Sequence, residues 1–374
     1  MFPRPTYPDK KTPIIRPNPD WEEDLMQTVV VGEREIERWK SYSALKKKKD
    51  TRQCLHLAYD LGPAQRIKLN DGRFVPNFGI GTWLGFSRKG DRMPVVDDSV
   101  EKAVGWAIEA GYRHVDTASI YETETQVGRA IQAKINAGVV MREHLFVVTK
   151  LWNDRHLKED VVPALKESLA RLKLSYVDLY LVHWPIPQYS NGTYYDADYV
   201  ETWKGMIEAR DQGLARSIGV SNFNVNQLDR VINLTTVKPA MLQVEVNLHL
   251  QQPELLAFCR QHNITVTAYS PFGELVSSRA TSTTPPPKIN DPKLVEMARK
   301  YTKTVPQIIL RYLVELGVIP IPKSVNKQRI RENLNVFNFT LTPQDTAVLK
   351  SFDRGYRTIK PQFWKDSKYF PFEK

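Results

Sequence analysis

Four side chains able to hold or pass on a proton sit at or just beyond the ends of successive apolar runs. Asp116 lies in HVDTA (114–118), and Tyr121 follows it by five residues. Lys150 lies in LFVVTKL (145–151), and His183 in VDLYLVHW (177–184). Taken singly, each has a plainer reading: a strand-end lysine is usually a surface residue, and a loop tyrosine usually packs. Consecutive parallel strands are neighbours, so the four can converge at one mouth. A carboxylate, a phenol, an ammonium and an imidazole gathered there are suited to acid–base chemistry.

The elements that must position them are legible in the same pattern. Five further runs complete a set of eight: FGIGTW (78–83), ARSIGVSN (215–222), LQVEVN (242–247), TVTAYSP (265–271) and VIPIPKS (318–324). Short runs rich in Val, Ile and Leu suit strands buried on both faces of a parallel sheet. Segments of helical period separate most of them, at 98–110, 124–137, 158–172, 199–212, 224–233, 252–262, 291–301, 306–316 and 326–336. Asp97/Asp98, Asn224 and Asp291-Pro292 read as helix starts, and Gly111, Gly138, Gly213 and Gly317 as stops. Eight strand-then-helix units predict a (β/α)8 TIM barrel, whose chemistry sits where strands end. Asn70-Asp71-Gly72 between two alternating segments predicts an N-terminal β-hairpin closing the bottom of the barrel. A last helix is expected from LTPQDTAVLKSFD, followed by the aromatic stretch PQFWKDSKYFPF.

The 374 residues fit one barrel with decorations, without a second full domain. The expected division is a barrel with its C-terminal substrate-loop tail over 66–374 and an N-terminal extension over 1–65, Pro-rich and then basic. Residues 20–49 can form a helix ending in Lys46–Lys49. The extension reads either as a tether to an acidic surface or, preferably, as a disordered or loosely attached arm. No run approaches a membrane span, and no apolar leader core opens the chain. Acids at Asp20, Glu22, Glu23 and Asp24 argue against a mitochondrial leader. Cys54 and Cys259 are the only cysteines, which fits a reducing, cytoplasmic setting. The net charge of +11 is compatible with a polyanionic ligand such as a dinucleotide phosphate and equally with a solvated basic surface. No basic stripe interleaved with aromatics marks a nucleic-acid module. Gly79-x-Gly81-x-x-x-Gly85 has the wrong spacing for a Rossmann loop. No zinc-type Cys/His cluster is present.

GYRHVDTA, VVTKLW, VDLYLVHWP, IGVSNF, LQVEVN, AYSPFG and IPKSVNKQRIRENL stand in an order and at spacings that resemble the aldo-keto reductase superfamily, in its aldose and aldehyde reductase-like branch. The resemblance runs from about residue 66 to the C-terminus, and the tail KPQFWKDSKYFPF looks closer to arthropod-type members than to the mammalian aldose reductase pattern. It implies NADPH-dependent reduction of carbonyls by the tetrad Asp116, Tyr121, Lys150 and His183. Tyr121 would protonate the oxygen left negative by hydride transfer. Lys150, held by Asp116, would make the phenol more acidic, and His183 would orient and polarise the carbonyl. His rather than Glu at position 183 favours C=O over C=C reduction. The resemblance also implies that Ser221, Asn222 and Gln243 hold the nicotinamide carboxamide and that Tyr269 stacks on the ring. The loop from Ser270 to Leu275 would cover the pyrophosphate. Lys323, Ser324, Arg329 and Asn333 would surround a 2′-phosphate, with Glu332 near the adenine amine. Thr82, Trp83, Asp116 and Val325 complete the implied cofactor contacts.

Trp83, Tyr121, His183 and Trp184 are the implied substrate contacts, and Phe363, Trp364 and Phe370 a further aromatic wall. Such a slot suits hydrophobic aldehydes, flat ketones or steroids. The expected partner is a small carbonyl compound, with no nucleic acid or membrane, and the expected state is a monomer. Two other readings compete: a non-enzymatic cofactor-sensing subunit like the potassium-channel β-subunits, and a ketosteroid-selective reductase. A structural lens-type protein recruited from a reductase is a third.

Overall fold

The structure is a computed structural model and describes residues 62–85, 93–275 and 280–372. The expectations for the extension therefore fall outside the described residues, apart from its last four positions. Two strands, β1 (Arg66–Lys68) and β2 (Phe74–Pro76), pair antiparallel as a hairpin. Its turn is the Asn-Asp-Gly sequence, with Gly72 at φ 85, a left-handed value that glycine adopts without strain.

Eight strands follow in one sheet: β3 (Ile80–Gly81), β4 (His114–Asp116), β5 (Phe146–Leu151), β6 (Val177–Val182), β7 (Ala215–Ser221), β8 (Met241–Glu245), β9 (Thr265–Tyr269) and β10 (Val318–Pro320). They pair in chain order and every pairing is parallel. The edges of the sheet also meet, because Gly79 N donates to Pro320 O (3.1 Å) and Gly81 N to Pro322 O (3.3 Å). The hairpin is fastened to the N-terminal ends of the sheet. Asn70 Nδ2 donates to Pro239 O (2.8 Å) and Arg73 Nε to Arg216 O (2.9 Å).

Helices connect the strands: α1 (Ser99–Ala110), α2 (Glu124–Asn136), α3 (Lys158–Leu172), α4 (Tyr199–Asp211), α5 (Val225–Leu234), α6 (Pro253–Gln261), α7 (Pro292–Lys300), α8 (Val305–Glu315), α9 (Lys327–Leu334) and α10 (Pro343–Lys350). Asn224 caps α5 through a reciprocal box with Gln227, and Asp291 caps α7 through Lys293 N. At α1 the expected start is met differently. Asp98 makes no side-chain cap, while Asp97 Oδ1 accepts from Ser99 N at 2.9 Å. The expected stop at Gly111 closes α1 in the left-handed region.

Side chains alternate across a strand, so each strand sorts its residues between two cores. Val115, Val147, Val182, Val220, Leu242 and Ala268 face the helices. Phe146, Val148, Leu179, Leu181, Met241 and Ile319 face inward and pack on Leu69 and Val75 of the hairpin. Asp116, Lys150, His183, Ser221, Gln243 and Tyr269 continue the inward register of their strands at the C-terminal ends. One end of the interior is thus apolar and plugged, and the other is polar.

The loop after β5 carries a second consequence of burial. His156 is fully buried, and its ring nitrogens find no partner among the described residues. Burial pulls its pKa down to about 3. The unfolded chain takes up a proton below about pH 6.5 that the folded chain refuses. Its contribution to stability is therefore present above that pH and drains away as pH falls toward 3. His156→Phe is expected to flatten the acid-side fall of the unfolding free energy, read by urea titration, by up to about 1.4 kcal/mol per pH unit. An unchanged pH slope in the variant would count against this.

Candidate active site

The four groups singled out first are adjacent. Lys150 Nζ, on a fully buried side chain, donates to Asp116 Oδ1 (2.7 Å) and Thr117 O (2.8 Å). It also lies 3.4 Å from the Tyr121 hydroxyl. Tyr121 ends a 3-10 turn, Ser119–Tyr121, pinned to β5 by Ser119 Oγ donating to Lys150 O (3.0 Å). The Tyr121 ring is stacked on Trp83, with centroids 6.2 Å apart, and meets the edge of His183 at 5.6 Å. His183 Nδ1 is buried and has no partner among the described residues.

The electrostatics differ from expectation at one point. The acidifying effect of Lys150 on Tyr121 does not prevail. Burial, reinforced by Asp116 and Tyr269, holds the Tyr121 hydroxyl well above its ordinary value. The ammonium sits 2.7 Å from a carboxylate, so little of its charge is left to favour a phenolate. Burial also lowers Lys150, against the pull of Asp116, and lowers His183 well below its usual range, with Lys150 adding to the effect. The site at neutral pH therefore presents a protonated phenol and a neutral imidazole.

Two amides expected to face the cofactor are partly spent within the protein. Gln243 Nε2 donates to Asp116 Oδ2 at 2.7 Å, so that both carboxylate oxygens are occupied. Asn222, at φ 60, donates from Nδ2 to His183 O (2.9 Å) and Ser221 Oγ (3.1 Å), and accepts from the Tyr269 hydroxyl at 2.7 Å. A left-handed non-glycine residue at a strand end is a conformation that functional sites tend to hold. Thr82 Oγ1 donates to Asp116 O (3.0 Å), which braces the strand end from the other side.

The remaining expected cofactor positions lie on the loops after β9 and β10. Ser270 is also left-handed, at φ 46, and its carbonyl closes a turn with Gly273 N. Leu275 is buried. After β10, Lys323 and Ser324 are half-buried, Val325 is exposed, and Asn326 caps α9 by accepting from Arg329 N (3.0 Å). Arg329 is exposed, Asn333 one turn on is buried, and Glu332 accepts from Gln328 Nε2 at 2.7 Å.

The aromatic wall is real but differently composed. Trp184, Trp364 and Phe370 form one buried cluster, joined by Trp152 and Phe372. Trp152 meets the edge of His183 at 5.1 Å, and Trp184 meets Trp364 at 5.0 Å and Phe372 at 5.7 Å. Phe363 is 72% exposed and is no part of the wall, because the short turn Gln362–Trp364 directs Trp364 inward instead. Trp152 and Phe372 are the contacts that reading the sequence missed, although both lie inside the stretches VVTKLW and KYFPF. Glu124 was missed as well. Fully buried at the start of α2, it accepts from Thr149 Oγ1 (2.5 Å) and Arg171 Nε (2.6 Å), tying the Tyr121 loop to β5 beside Lys150.

Among the described residues no group of His, Cys, Asp or Glu could hold a metal ion, and no helix is long and apolar enough to cross a membrane. The arrangement is one for moving a proton at an oxygen held between Tyr121 and His183.

Comparison with known proteins identifies the family. The family model described as the aldo/keto reductase family matches residues 77–354. The chain is 49% identical over 305 residues to aldo-keto reductase AKR2E4 of Bombyx mori, covering 82% of this chain and 97% of that one. It is 40% identical over 321 residues to human aldo-keto reductase family 1 member A1, covering 82% of this chain and 95% of that one. The crystal structure of the silkworm AKR2E4 in complex with NADP superposes with a TM-score of 0.79, covering 83% of this chain and 99% of that one. That of silkworm AKR2E5 complexed with NADPH, 44% identical, gives 0.81 and covers 83% and 94%. A family model spanning most of the chain, and relatives this similar along nearly their whole length, establish that the chain belongs to the aldo/keto reductase family.

Proposed function

We propose that the protein reduces aldehydes and ketones to the alcohols with NADPH, on a closed (β/α)8 barrel whose hairpin plugs the bottom, with Tyr121 as the proton donor. The observation that carries this reading is the chain Asp116–Lys150–Tyr121, buried at its first two members and half-buried at the third, facing His183. The silkworm structures with NADP and NADPH support the choice of cofactor. The residues present fit such a group. Tyr269 offers a half-buried ring, its hydroxyl anchored by Asn222. The capped start of α9, with Lys323, Ser324 and Arg329 around it, is suited to a phosphate.

When bound, NADPH supplies a hydride. The chain supplies the rest. Tyr121 holds a proton that burial keeps on the phenol until an oxygen within reach becomes strongly basic. Lys150 sits 3.4 Å from that hydroxyl and offers it a hydrogen-bond donor once the proton has left. Asp116 and Gln243 keep Lys150 charged and in place. His183, neutral, has a single ring N–H to give to the carbonyl oxygen, which fixes the oxygen in front of Tyr121. Trp83, Trp152 and Trp184 exclude water around it.

NADPH consumption with simple aldehydes tests the reading, and absence of turnover across sugars, lipid aldehydes, quinones and ketosteroids would end it. The phosphate end has its own test. Arg329→Met is expected to raise the KM for NADPH about tenfold or more, the scale of a lost charged hydrogen bond, and that for NADH little. Equal effects on both cofactors would remove Arg329 from the 2′-phosphate. A channel-type subunit would show negligible turnover and a tetramer by size.

A further inference from the structure

Glu124 opens α2, three residues past Tyr121, and is only 1% exposed. A carboxylate in the first turn of a helix ordinarily faces solvent and complements the helix dipole. This one turns inward. Its Oε1 accepts from Thr149 Oγ1 (2.5 Å) and its Oε2 from Arg171 Nε (2.6 Å). Arg171 keeps 40% of its side chain exposed, so the pair sets a fully desolvated carboxylate against a solvated guanidinium. Taking a carboxylate out of water offsets most of what such a pair gains, and folding stability alone is a poor reason for it.

The turn that carries Tyr121 is fixed at both ends. At its start Ser119 Oγ donates to Lys150 O (3.0 Å). At its end Thr123, fully buried, makes no side-chain cap on α2 and joins a chain of hydroxyls instead. A hydroxyl has one proton to give, which sets the order of that chain. Thr82 Oγ1 donates to Asp116 O (3.0 Å), Thr123 Oγ1 to Thr82 Oγ1 (3.3 Å) and Thr117 Oγ1 to Thr123 Oγ1 (3.1 Å). Glu124 follows and reaches β5. Between the two ends Glu122 stands at φ 59, a left-handed value that a non-glycine residue keeps where its surroundings impose it. Side chains alternate along a strand. Thr149 therefore meets Glu124 on the helix side of β5, while Lys150, the next residue, meets the Tyr121 hydroxyl on the inner side at 3.4 Å. One strand position ties the turn from behind, and the next faces its phenol.

We propose that Glu124 and Thr149 are positioning residues, whose hydrogen bond clasps the Tyr121 turn to β5 and so sets the Tyr121 hydroxyl against Lys150. Both act through Tyr121 from the helix side of the strand. This rests on the reductase reading above, in which Tyr121 gives the proton. A reacting group displaced by about 1 Å can cost about a hundredfold in rate, so a single bond behind the strand has leverage on turnover.

Thr149→Val keeps the branched shape, leaves the Glu124 charge with Arg171 and removes only the hydroxyl. It is expected to lower kcat by about tenfold or more. The KM for NADPH should stay unchanged, and the solvent deuterium isotope effect on kcat should rise, because proton delivery is the step that slows. Thr149→Ser returns the hydroxyl and should return kcat. Glu124→Asp draws the carboxylate back by one methylene and should show the same loss, and the two changes together should lose no more than either alone. Glu124→Asp carries the test by itself if Thr149→Val does not fold. A wild-type kcat in these variants would overturn the proposal. So would a lowered kcat with an unchanged isotope effect, or one that Thr149→Ser does not restore, since general loosening of the barrel would then be the cause. If the wild type reduces no aldehyde, the reductase reading is what fails. The clasp is then decided by NMR of protein isotope-labelled at tyrosine Cζ, with the Tyr121 resonance assigned by its loss in Tyr121→Phe. A shift of that resonance in Thr149→Val, reversed in Thr149→Ser, supports the clasp, and an unmoved resonance overturns it.

Discussion

Tyr121→Phe is expected to lose about two or more decades of turnover, the scale of general acid catalysis, while dinucleotide affinity and fold stay intact. The substitution removes one oxygen. The ring keeps its stack on Trp83 and its contact with the edge of His183. Lys150 gives up a 3.4 Å contact but retains Asp116 and Thr117 O. What disappears is the proton poised at the substrate oxygen. Because burial keeps the hydroxyl well above its ordinary value, that proton is not lost at alkaline pH short of its usual range. The wild type should therefore show no decline in acid-form catalysis as pH rises from 7 toward about 10, the free phenol value. Steady-state rates on one aldehyde, with cofactor affinity measured separately by fluorescence, are sufficient. A variant reducing aldehydes near the wild-type rate would show that another group delivers the proton.

The elements and the gathering of Asp116, Tyr121, Lys150 and His183 at one end of the sheet could be read from the sequence because both depend on local pattern. An apolar run covered on both faces has little choice but a buried parallel strand, and period two then places the polar residue at its end either inside or outside. The Asn70-Asp71-Gly72 turn and the cap at Asn224 are equally local. What escaped is set by contacts between distant segments. Gln243 and Asp116 lie 127 positions apart, and only the sheet brings them within 2.7 Å. No sequence pattern shows that this amide holds the Asp116 carboxylate. The net effect on Tyr121 escaped for a similar reason. Whether an ammonium acidifies a phenol depends on how closely a carboxylate has already answered it. In the tail, irregular chain offers no period from which to tell the exposed Phe363 from the buried Trp364 or the wall-forming Phe372.

Asp116→Asn is expected to be the most damaging single change, because it injures stability and turnover together. Asp116 accepts from Lys150 through Oδ1 and from Gln243 through Oδ2, both at 2.7 Å, and neither donor has room to turn to water. An amide keeps the shape but replaces one acceptor by a donor, so either Lys150 or Gln243 then faces another N–H. Where the N–H faces Lys150, the ammonium keeps only Thr117 O and the Tyr121 hydroxyl; in either orientation the full negative charge beside it is gone. Breaking a buried pair from one side costs about 3–5 kcal/mol, and a denaturant titration reads that directly. The pH dependence has a definite sign. Burial already lowers Lys150, and without the carboxylate it falls further, so the unfolded chain binds the proton more readily than the folded one. Stability then rises with pH, and the deficit of the variant should shrink as pH climbs toward about 10, the free lysine value. Adding Lys150→Met removes the stranded charge. The double variant should recover much of the stability at neutral pH while turnover stays lost. A double variant less stable than Asp116→Asn alone would mean that the interior tolerates the lone ammonium, and that Asp116 serves the site in some way other than by balancing Lys150.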